Sequence, residues 1–447
     1  MSLARKAIYI VGAKRTPFGA FGGKLKHLSA TELAVISSKA ALEEGMCLML
    51  GYVHTYTLLL ARMHCSIVRH LTPQYTNKPL FFFCTQCACA AKLGGDKVDD
   101  CFMGNVIQSS NDAAYLARHV ALKSGAPVKS PALTINRLCG SGFEAVCLGA
   151  ESIELGRSEV TLVGGTENMS QAPMTIDGLT ARWGAALGKG MKADDSLWSG
   201  LTDSYIGLPM GITAENLADQ YDLTREECDE FALRSQHAWA AAQEAGHYTA
   251  EITPIDLKTR KGMVTMDRDE HPRPSTTIAD LNKLKPVFKP DGGRVTAGSA
   301  SGICDGAASL VLASGDSCEA NNLTPLSRIV AWSRVGCEPT HMGIGPVGAI
   351  EAIFRATNLT AQDMDLIEIN EAFAAQFLAC EKALQLDREK TNVCGGAIAL
   401  GHPLGASGAR ITAHLAHALK RTGKKYGLGA ACIGGGQGIA VLLENVQ

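Results

Sequence analysis

The sequence predicts a large α/β protein made of two similar halves, with an excursion of different composition between them. Apolar runs of strand length alternate with helical segments, which is typical of mostly parallel, buried sheets. The order of segments in the first half recurs after residue 347. Between about 170 and 295 the chain is richer in polar and charged residues and in Pro, which indicates a loop domain that projects from the first half.

The repeat is visible when the segments of the two halves are compared in order. In the first half they are a helix at 31–45, a strand and loop at 97–112, a strand, turn and helix at 134–155, and a strand at 158–170 that ends in a Gly-Gly turn at 164–165. Their partners in the second half are 348–362, 363–376, 391–419 and 426–444.

Residues 46–95 interrupt this repeat, and they contain neither Asp nor Glu although the chain has 44. The most apolar run, 46–61, is short for a transmembrane helix and contains His54. A zinc site could use Cys84, Cys87 and Cys89 with His64 or His70, but the second half of a zinc spacing is missing. The interpretation we favour is an insertion foreign to the fold, such as translated non-coding sequence.

Composition narrows the class of protein. The net charge of -2 over 447 residues gives no electrostatic reason to expect nucleic acid as a partner. Fifteen scattered cysteines, an odd number without a secretory signal, favour free intracellular thiols. The first 31 residues hold six basic side chains and no acid, which indicates mitochondrial targeting; the alternative is a basic surface edge on a cytoplasmic protein.

Cys139 lies in R-L-C-G-S-G, where a strand leads into a helix. A thiol at a helix N-terminus faces the positive end of the helix dipole, which favours the thiolate. Gly140 and Gly142 leave space for a substrate. The competing interpretation is a small buried apolar residue, the commonest fate of a free cysteine.

His402 lies in G-H-P-L-G-A-S-G, residues 401–408, in a turn and not on an apolar helix face. A histidine held in a rigid turn can act as a general base near neutral pH. A structural histidine is the alternative. The stretch is not a phosphate-binding loop, because the required Lys is absent.

Two more motifs have suitable chemistry. Cys432 begins C-I-G-G-G-Q-G after a strand, and its glycines either expose N–H groups for an oxyanion or form a tight turn. Asn370 in N-E-A-F-A is a helix cap or an amide donor in a site. The loops of Cys139 and His402 occupy equivalent positions in the repeat. A pseudo-twofold arrangement would therefore bring thiols, imidazole and amide together.

With these four motifs in this order, the chain resembles the thiolase family throughout, apart from 46–95. The resemblance implies a five-layer αβαβα arrangement of two like halves, a loop domain over the coenzyme A site, and a homodimer or homotetramer. We expect the first half at 1–168, the loop domain at 169–300, the end of the first half at 301–323 and the second half at 324–447.

The resemblance also implies roles for individual residues. Cys139 would accept the acyl group, His402 would take its proton, and Cys432 would act as acid and then base. Asn370, through a water, and His402 would form one oxyanion site, and the N–H groups of Cys139 and Gly434 the other. The substrate contacts that it implies are Ser301 for pantetheine, Arg260 for the nucleotide, and Met342 and Phe373 for the acyl chain.

The expected reaction is thiolytic cleavage of a 3-ketoacyl-CoA in fatty-acid β-oxidation, with acyl-CoA and CoA as partners and no metal or redox cofactor. The alternatives are acetyl transfer on acetoacetyl-CoA and an inactive acyl-CoA-binding protein. Two departures from the family matter. Cys394 replaces a usual Asn and leaves hydrogen bonding near His402 in doubt. Met174 replaces the His of short-chain biosynthetic members, which favours a degradative enzyme of broader chain length.

Overall fold

The computed structural model describes residues 2–44, 93–260 and 262–446. The transmembrane, zinc and foreign-insertion hypotheses for 46–92 therefore lie outside the described residues. Leu93 is described, and it is buried in the core of the first half. The body of the fold thus resumes before residue 95, where we had placed the end of the insertion. Within the described ranges no helix is long and apolar enough to cross a membrane, and no group of three or more metal-ligating side chains occurs.

The first half is built from β1 (Ser2–Leu3), β2 (Ile8–Arg15), β3 (Gly19–Ala20), α1 (Ala30–Glu44), β4 (Asp100–Gly104), α2 (Leu116–Lys123), β5 (Ala132–Ile135), α3 (Ser141–Glu154) and β6 (Val160–Asn168), and it is completed by β13 (Cys304–Ser314) and α9 (Gly315–Ala320). The second half contains β14 (Ser327–Gly336), α10 (Gly345–Thr357), β15 (Leu366–Ile369), α11 (Ala374–Leu384), α12 (Ala397–Leu400), α13 (Ser407–Thr422), β16 (Tyr426–Ile433) and β17 (Gln437–Glu444). The excursion contains β7 (Met174–Ile176), α4 (Gly178–Trp183), β8 (Ala193–Asp195), α5 (Ser196–Gly200), β9 (Thr202–Asp203), β10 (Leu208–Pro209), α6 (Met210–Gln220), α7 (Arg225–Glu244), β11 (Ile255–Thr259), β12 (Gly262–Met266) and α8 (Ile278–Asn282).

The strand order repeats between the halves. It runs β15-β16-β17-β14-β2-β13-β6-β4-β5, so β2-β13-β6-β4 mirrors β14-β17-β16-β15 about the join between β14 and β2. That join is a short antiparallel pairing. The sheets are mixed rather than mostly parallel: β4 is parallel to β5 and β6, but β13 and β17 are antiparallel to both of their main neighbours. The sequence pattern could not reveal this, because buried strands of either direction are apolar.

Helices separate and cover the sheets in five layers. α13 is buried on every side over its first thirteen residues, as expected for a helix in a central layer, and it packs with α3 between the inner faces of both sheets. α1 and α2 cover the outer face of the first half. α10 and α11 cover the outer face of the second. The predicted pair of α/β halves is therefore confirmed.

Gly164 and Gly165 lie inside β6 and do not form the predicted turn. The reason is a close approach of another chain segment. A Cβ on Gly165 would lie 1.8 Å from the carbonyl oxygen of Gly405, and one on Gly164 would lie 2.4 Å from that of Ala308. These glycines are required by packing and not by backbone curvature.

The excursion contacts both halves. Phe231 of α7 stacks on Phe377 of α11 with ring centroids 4.3 Å apart, and Leu217 of α6 joins the same core. Ile255 and Met266, from the hairpin of β11 and β12, pack instead into the core of the first half. The expectation that the excursion projects from the first half alone is therefore too narrow.

Candidate active site

The Cys139 loop is a tight bend between β5 and α3. Leu138 adopts φ +47°, a left-handed conformation that is uncommon for a side chain of this kind and costs free energy. The hydroxyl of Ser141 stabilises the bend, since it accepts from the N–H of Arg137 at 2.8 Å and donates to the carbonyl of Leu138 at 2.7 Å. Cys139 is thereby held half-buried just before the first turn of α3.

His402 is oriented by three contacts. Its backbone N–H donates to the carbonyl of Gly302 at 2.8 Å, and its ring Nδ1 lies 2.6 Å from Ser407 Oγ. Ser407 Oγ in turn donates to the carbonyl of Pro403 at 3.2 Å, so it accepts from a proton on Nδ1. This tautomer leaves Nε2 as a lone pair, which lies 3.4 Å from Asn370 Nδ2. The imidazole is thus prepared to accept a proton at Nε2.

Gly405 brings the His402 loop onto the first half. A Cβ on Gly405 would lie 2.7 Å from the carbonyl of Thr166 and 2.8 Å from that of Gly104. A Cβ on Gly142, in the first turn of α3, would lie 2.9 Å from the Gly405 carbonyl. Only glycines permit this approach, and it places the His402 loop beside the N-terminus of the helix that follows Cys139.

Cys432 and the loop after it meet the Cys139 loop. Cys432 is the penultimate residue of β16 and is fully buried. A Cβ on Gly434 would lie 3.0 Å from Leu138 Cδ1, and Arg137 donates to Gln437 Oε1 at 2.8 Å. The N–H groups of Gly434 and of Cys139 itself both interact with the Cys139 thiol and lower its pKa. The glycines also form the turn from β16 to β17, which confirms the turn interpretation, while oxyanion binding stays a prediction.

Asn370 is not a helix cap. It follows β15, its N–H donates to the carbonyl of Ala430 at 2.9 Å, and the N-cap of α11 is Phe373. Its side chain is buried next to His402, and its Oδ1 has no hydrogen-bond partner within the described residues. A buried, unpaired amide oxygen is costly, which is typical of a binding position.

Burial dominates the electrostatics of the site. It raises the pKa of Cys139 to about 11, only partly opposed by the N–H groups of Gly434 and Cys139, and the charge of Glu167 raises it further. Burial and the charge of Arg410 lower the pKa of His402 to about 3. Burial also raises the pKa of Cys432 well above its usual value. The expectation that a helix N-terminus lowers the pKa of Cys139 was therefore wrong, because burial raises this pKa.

The predicted substrate-contacting residues fall into two groups. Met342 is buried and packs with Cys432, and Phe373 is adjacent and lies edge-on to Phe288 at 6.5 Å. Ser301 is half-buried, and its N–H donates to the carbonyl of Ala372 at 3.0 Å, within the same region. Arg260 lies apart from them, exposed at the tip of the hairpin of β11 and β12.

Cys394 does not disturb His402. Its Sγ lies 3.7 Å from His247 Nδ1, and its carbonyl accepts a hydrogen bond from the hydroxyl of Tyr248. The thiol packs in a separate cluster with Trp239. The partners of His402 described above are all in place, so the Asn-to-Cys departure leaves the local hydrogen bonding intact.

Sequence reasoning missed two residues of the site. Ser407 sets the tautomer of His402, and Glu167 accepts four hydrogen bonds beneath the loops. Ser407 lies within the motif that we quoted. Glu167 is the penultimate residue of β6, two positions after the two glycines of that strand, and a carboxylate in such an apolar strand was the signal available.

The fold and these loops define a thiolase. The thiolase N-terminal domain profile matches residues 80–316, and the thiolase C-terminal domain profile matches residues 323–445. The chain belongs to the thiolase family.

Individual relatives are similar over the whole chain. The mitochondrial 3-ketoacyl-CoA thiolase of Bos taurus is 50% identical over 445 residues, with all of both chains covered. The crystal structure of human mitochondrial 3-ketoacyl-CoA thiolase superposes with a TM-score of 0.87 at 49% identity, covering 99% of this chain and 100% of the other. Its complex with CoA superposes with a TM-score of 0.86 at 49% identity, covering 99% of both.

Proposed function

We propose that this chain is a 3-ketoacyl-CoA thiolase, an acetyl-CoA C-acyltransferase of fatty-acid β-oxidation. It cleaves a 3-ketoacyl-CoA with CoA to give acetyl-CoA and a shortened acyl-CoA. The observation that carries the proposal is the contact of His402 Nδ1 with Ser407 Oγ, which directs Nε2 to accept a proton, in a site that also holds Cys139 and Cys432. The similarity of the whole chain to proteins named 3-ketoacyl-CoA thiolase supports the choice of substrate.

In the first step, the Sγ of Cys139 attacks the 3-keto carbon and its proton passes to His402 Nε2. The bond between C2 and C3 breaks, and its electron pair forms the enolate of acetyl-CoA. Asn370, through a water, and His402 stabilise the thioester oxygen, while the N–H groups of Cys139 and Gly434 stabilise the keto oxygen. Cys432 protonates C2, and acetyl-CoA leaves behind an acyl thioester on Cys139.

In the second step, the Cys432 thiolate takes the proton of the incoming CoA thiol. The CoA sulfur attacks the acyl carbon, the bond to Cys139 breaks, and His402 returns the proton to Cys139. Two acid/base groups are needed because one accepts a proton while the other donates. Ser301 and Arg260 are proposed to bind the pantetheine and nucleotide of CoA, and Met342 and Phe373 to line the acyl chain.

The test is cleavage of 3-ketooctanoyl-CoA by the purified full chain in the presence of CoA, beside Cys139→Ala. We expect the variant to lose activity by about 10³-fold or more. Cys318→Ala, a thiol on α9 away from these loops, is the matched control and should stay active. An inactive wild-type chain would contradict the proposal.

The second candidate is acetyl-CoA C-acetyltransferase acting on acetoacetyl-CoA. Met174 in place of a family His argues against it, and Met174 is 63% exposed. Rates on acetoacetyl-CoA and 3-ketooctanoyl-CoA separate the two. Activity confined to the four-carbon substrate would replace our proposal with this one.

We propose further that the protein acts in the mitochondrial matrix as a homodimer or homotetramer. The basic first segment and the mitochondrial relatives support the location. A fusion of the whole chain to a C-terminal fluorescent protein should co-purify with the matrix fraction. Recovery in the cytosol would contradict the assignment.

A further inference from the structure

Glu167 is a buried carboxylate whose hydrogen-bond acceptors are all in use. Its Oε1 accepts from the N–H of Ile107 at 2.9 Å and from Asn105 Nδ2 at 3.0 Å. Its Oε2 accepts from the N–H of Val106 at 3.1 Å and from the N–H of Gly405 at 2.9 Å. The residue is completely buried at the end of β6. Four donors on one carboxylate, from two separate chain segments, make it a structural junction.

The two segments that Glu167 joins touch the two proposed reacting residues. Val106 and Ile107 belong to the apolar cluster against which Leu138 and Cys139 pack. Gly405 lies in the loop that carries His402, three residues away. One side chain of the first half therefore fixes both the wall beside the nucleophile and the loop of the base from the second half.

We propose that Glu167 is a positioning residue for the thiolase reaction, holding the Val106–Ile107 wall and the Gly405 loop in the register that brings Cys139 and His402 together. This inference rests on the proposed function. It adds a residue that acts through others and does not itself touch the substrate.

The charge of Glu167 gives the role a separate readout. Burial raises the pKa of Glu167 to about 7, against the lowering effect of the N–H donors of Ile107, Gly405 and Val106. Asp305 also raises this pKa. The carboxylate charge in turn raises the pKa of the Cys139 thiol, and among the described residues Glu167 is the one charged side chain that contributes to that shift. Removing the charge should therefore make Cys139 easier to ionise.

The experiment compares Glu167→Gln with Glu167→Asp. An amide has one oxygen, so in Glu167→Gln two of the four donors face an N–H₂ group: either Asn105 and Ile107, or Val106 and Gly405. The junction is weakened in either case. We expect kcat for cleavage of 3-ketooctanoyl-CoA to fall by about tenfold or more, with KM changed less than kcat. Glu167→Asp keeps the charge but shortens the side chain and should retain more activity. Glu159→Gln, an exposed carboxylate directly before the same strand, is the control and should match the wild type.

The second readout is the pH dependence of Cys139 alkylation by iodoacetamide, followed by mass spectrometry of the Cys139 peptide. In Glu167→Gln the midpoint should move to lower pH by about half a unit or more, and in Glu167→Asp it should stay near that of the wild type. A general loosening of the site would shift the alkylation midpoint of both variants alike and would overturn the inference. A kcat of Glu167→Gln within twofold of the wild type (about 0.4 kcal/mol) would also overturn it. An inactive wild-type chain would refute the proposed function instead, while the alkylation profiles would still test Glu167.

Discussion

At the scale of single residues, the orientation of His402 depends on Ser407. Ser407 Oγ accepts a hydrogen bond from the Nδ1–H of His402 at 2.6 Å. Replacing Ser407 by Ala therefore leaves that N–H unpaired, and the ring can rotate or change tautomer. We expect Ser407→Ala to lower kcat by about 10- to 100-fold with little change in KM. Ser407→Thr keeps the oxygen and should recover most of the activity. Steady-state kinetics on both variants measure this, and equal kcat values for Ala and Thr would contradict it.

The Cys394 thiol should matter for stability and not for catalysis. It is buried beside His247 and Trp239, away from the partners of His402. We expect Cys394→Ala to lower the free energy of unfolding by about 1 kcal/mol while kcat stays within about twofold of the wild type. Thermal denaturation and initial rates test the two halves of this statement. A large loss of kcat in a folded variant would reopen the link between Cys394 and His402.

The sequence predicted which loops meet better than it predicted the pKa values of the side chains in them. The loops that carry Cys139, His402 and Cys432 contact one another, and Asn370 Nδ2 lies 3.4 Å from His402 Nε2. The catalytic roles of these four residues stay predictions. The expected lowering of the Cys139 pKa was wrong, because burial raises this pKa and burial is set by residues far away in sequence. Glu167 was missed for the same reason, since three of its four donors lie about 60 residues before it.

At the scale of elements, the approach of the His402 loop to β6 should tolerate no side chain. A Cβ on Gly165 would lie 1.8 Å from the Gly405 carbonyl, which is backbone and cannot simply turn aside. We expect Gly165→Ala to cost about 1–3 kcal/mol of stability and to lower kcat about tenfold or more, because the loop must move. Gly190→Ala, where no atom lies within 4 Å, is the matched control and should behave like the wild type. Thermal denaturation and kinetics of the two variants give the answer.

Helices and strands were predicted correctly where the local sequence pattern determines them. Features that packing determines were missed. The helices after Cys139 and His402 and the strand before Cys432 follow from apolar periodicity. The Gly-Gly turn at 164–165 was wrong because those glycines serve a contact with residue 405, which no local pattern can show. Strand direction was equally hidden, since β13 enters the sheet only after the excursion.

At the scale of the molecule, a buried ionic network links chain segments that are far apart in sequence. Arg15 Nε lies 2.6 Å from Glu251 Oε1, and His414 Nδ1 lies 2.7 Å from Glu251 Oε2. Burial alone would lower the pKa of His414, but the carboxylates of Glu251 and Glu368 outweigh it and raise this pKa well above its usual value. The folded protein therefore favours the protonated form of His414.

This network predicts how stability changes with pH. A histidine whose pKa is raised on folding stabilises fully below its unfolded pKa of about 6.5 and loses that contribution as pH rises towards the folded pKa. We expect the free energy of unfolding to fall above pH 6.5 by up to about 1.4 kcal/mol per pH unit from this group. His414→Phe should remove that slope, and His27→Phe, an exposed histidine, should keep it. Denaturant unfolding between pH 6 and 9 measures it, and an unchanged slope in His414→Phe would contradict the assignment.

The apolar surface of the excursion predicts self-association. Trp183 is 81% exposed, and Leu179, Leu187 and Met191 are exposed beside it in sequence, which is unusual for a surface that faces water. We expect a homo-oligomer whose contacts include this segment. Light scattering should give a smaller particle for Trp183→Ser combined with Leu187→Ser than for the wild type. Identical masses would place the interface elsewhere.

The location of β13 has a consequence for how the protein is made. The first sheet lacks its middle strand until the ribosome has passed the excursion, because β13 lies between β2 and β6 but comes after both in the chain. His402, the proposed base, is synthesised later still. A nascent chain therefore exposes the thiol of Cys139, the proposed nucleophile, for a long interval without the His402 loop that packs beside it. Truncated products of translation would be inert as catalysts but open to thiol-reactive electrophiles, so a chaperone that shields the growing first half would protect the yield of active protein.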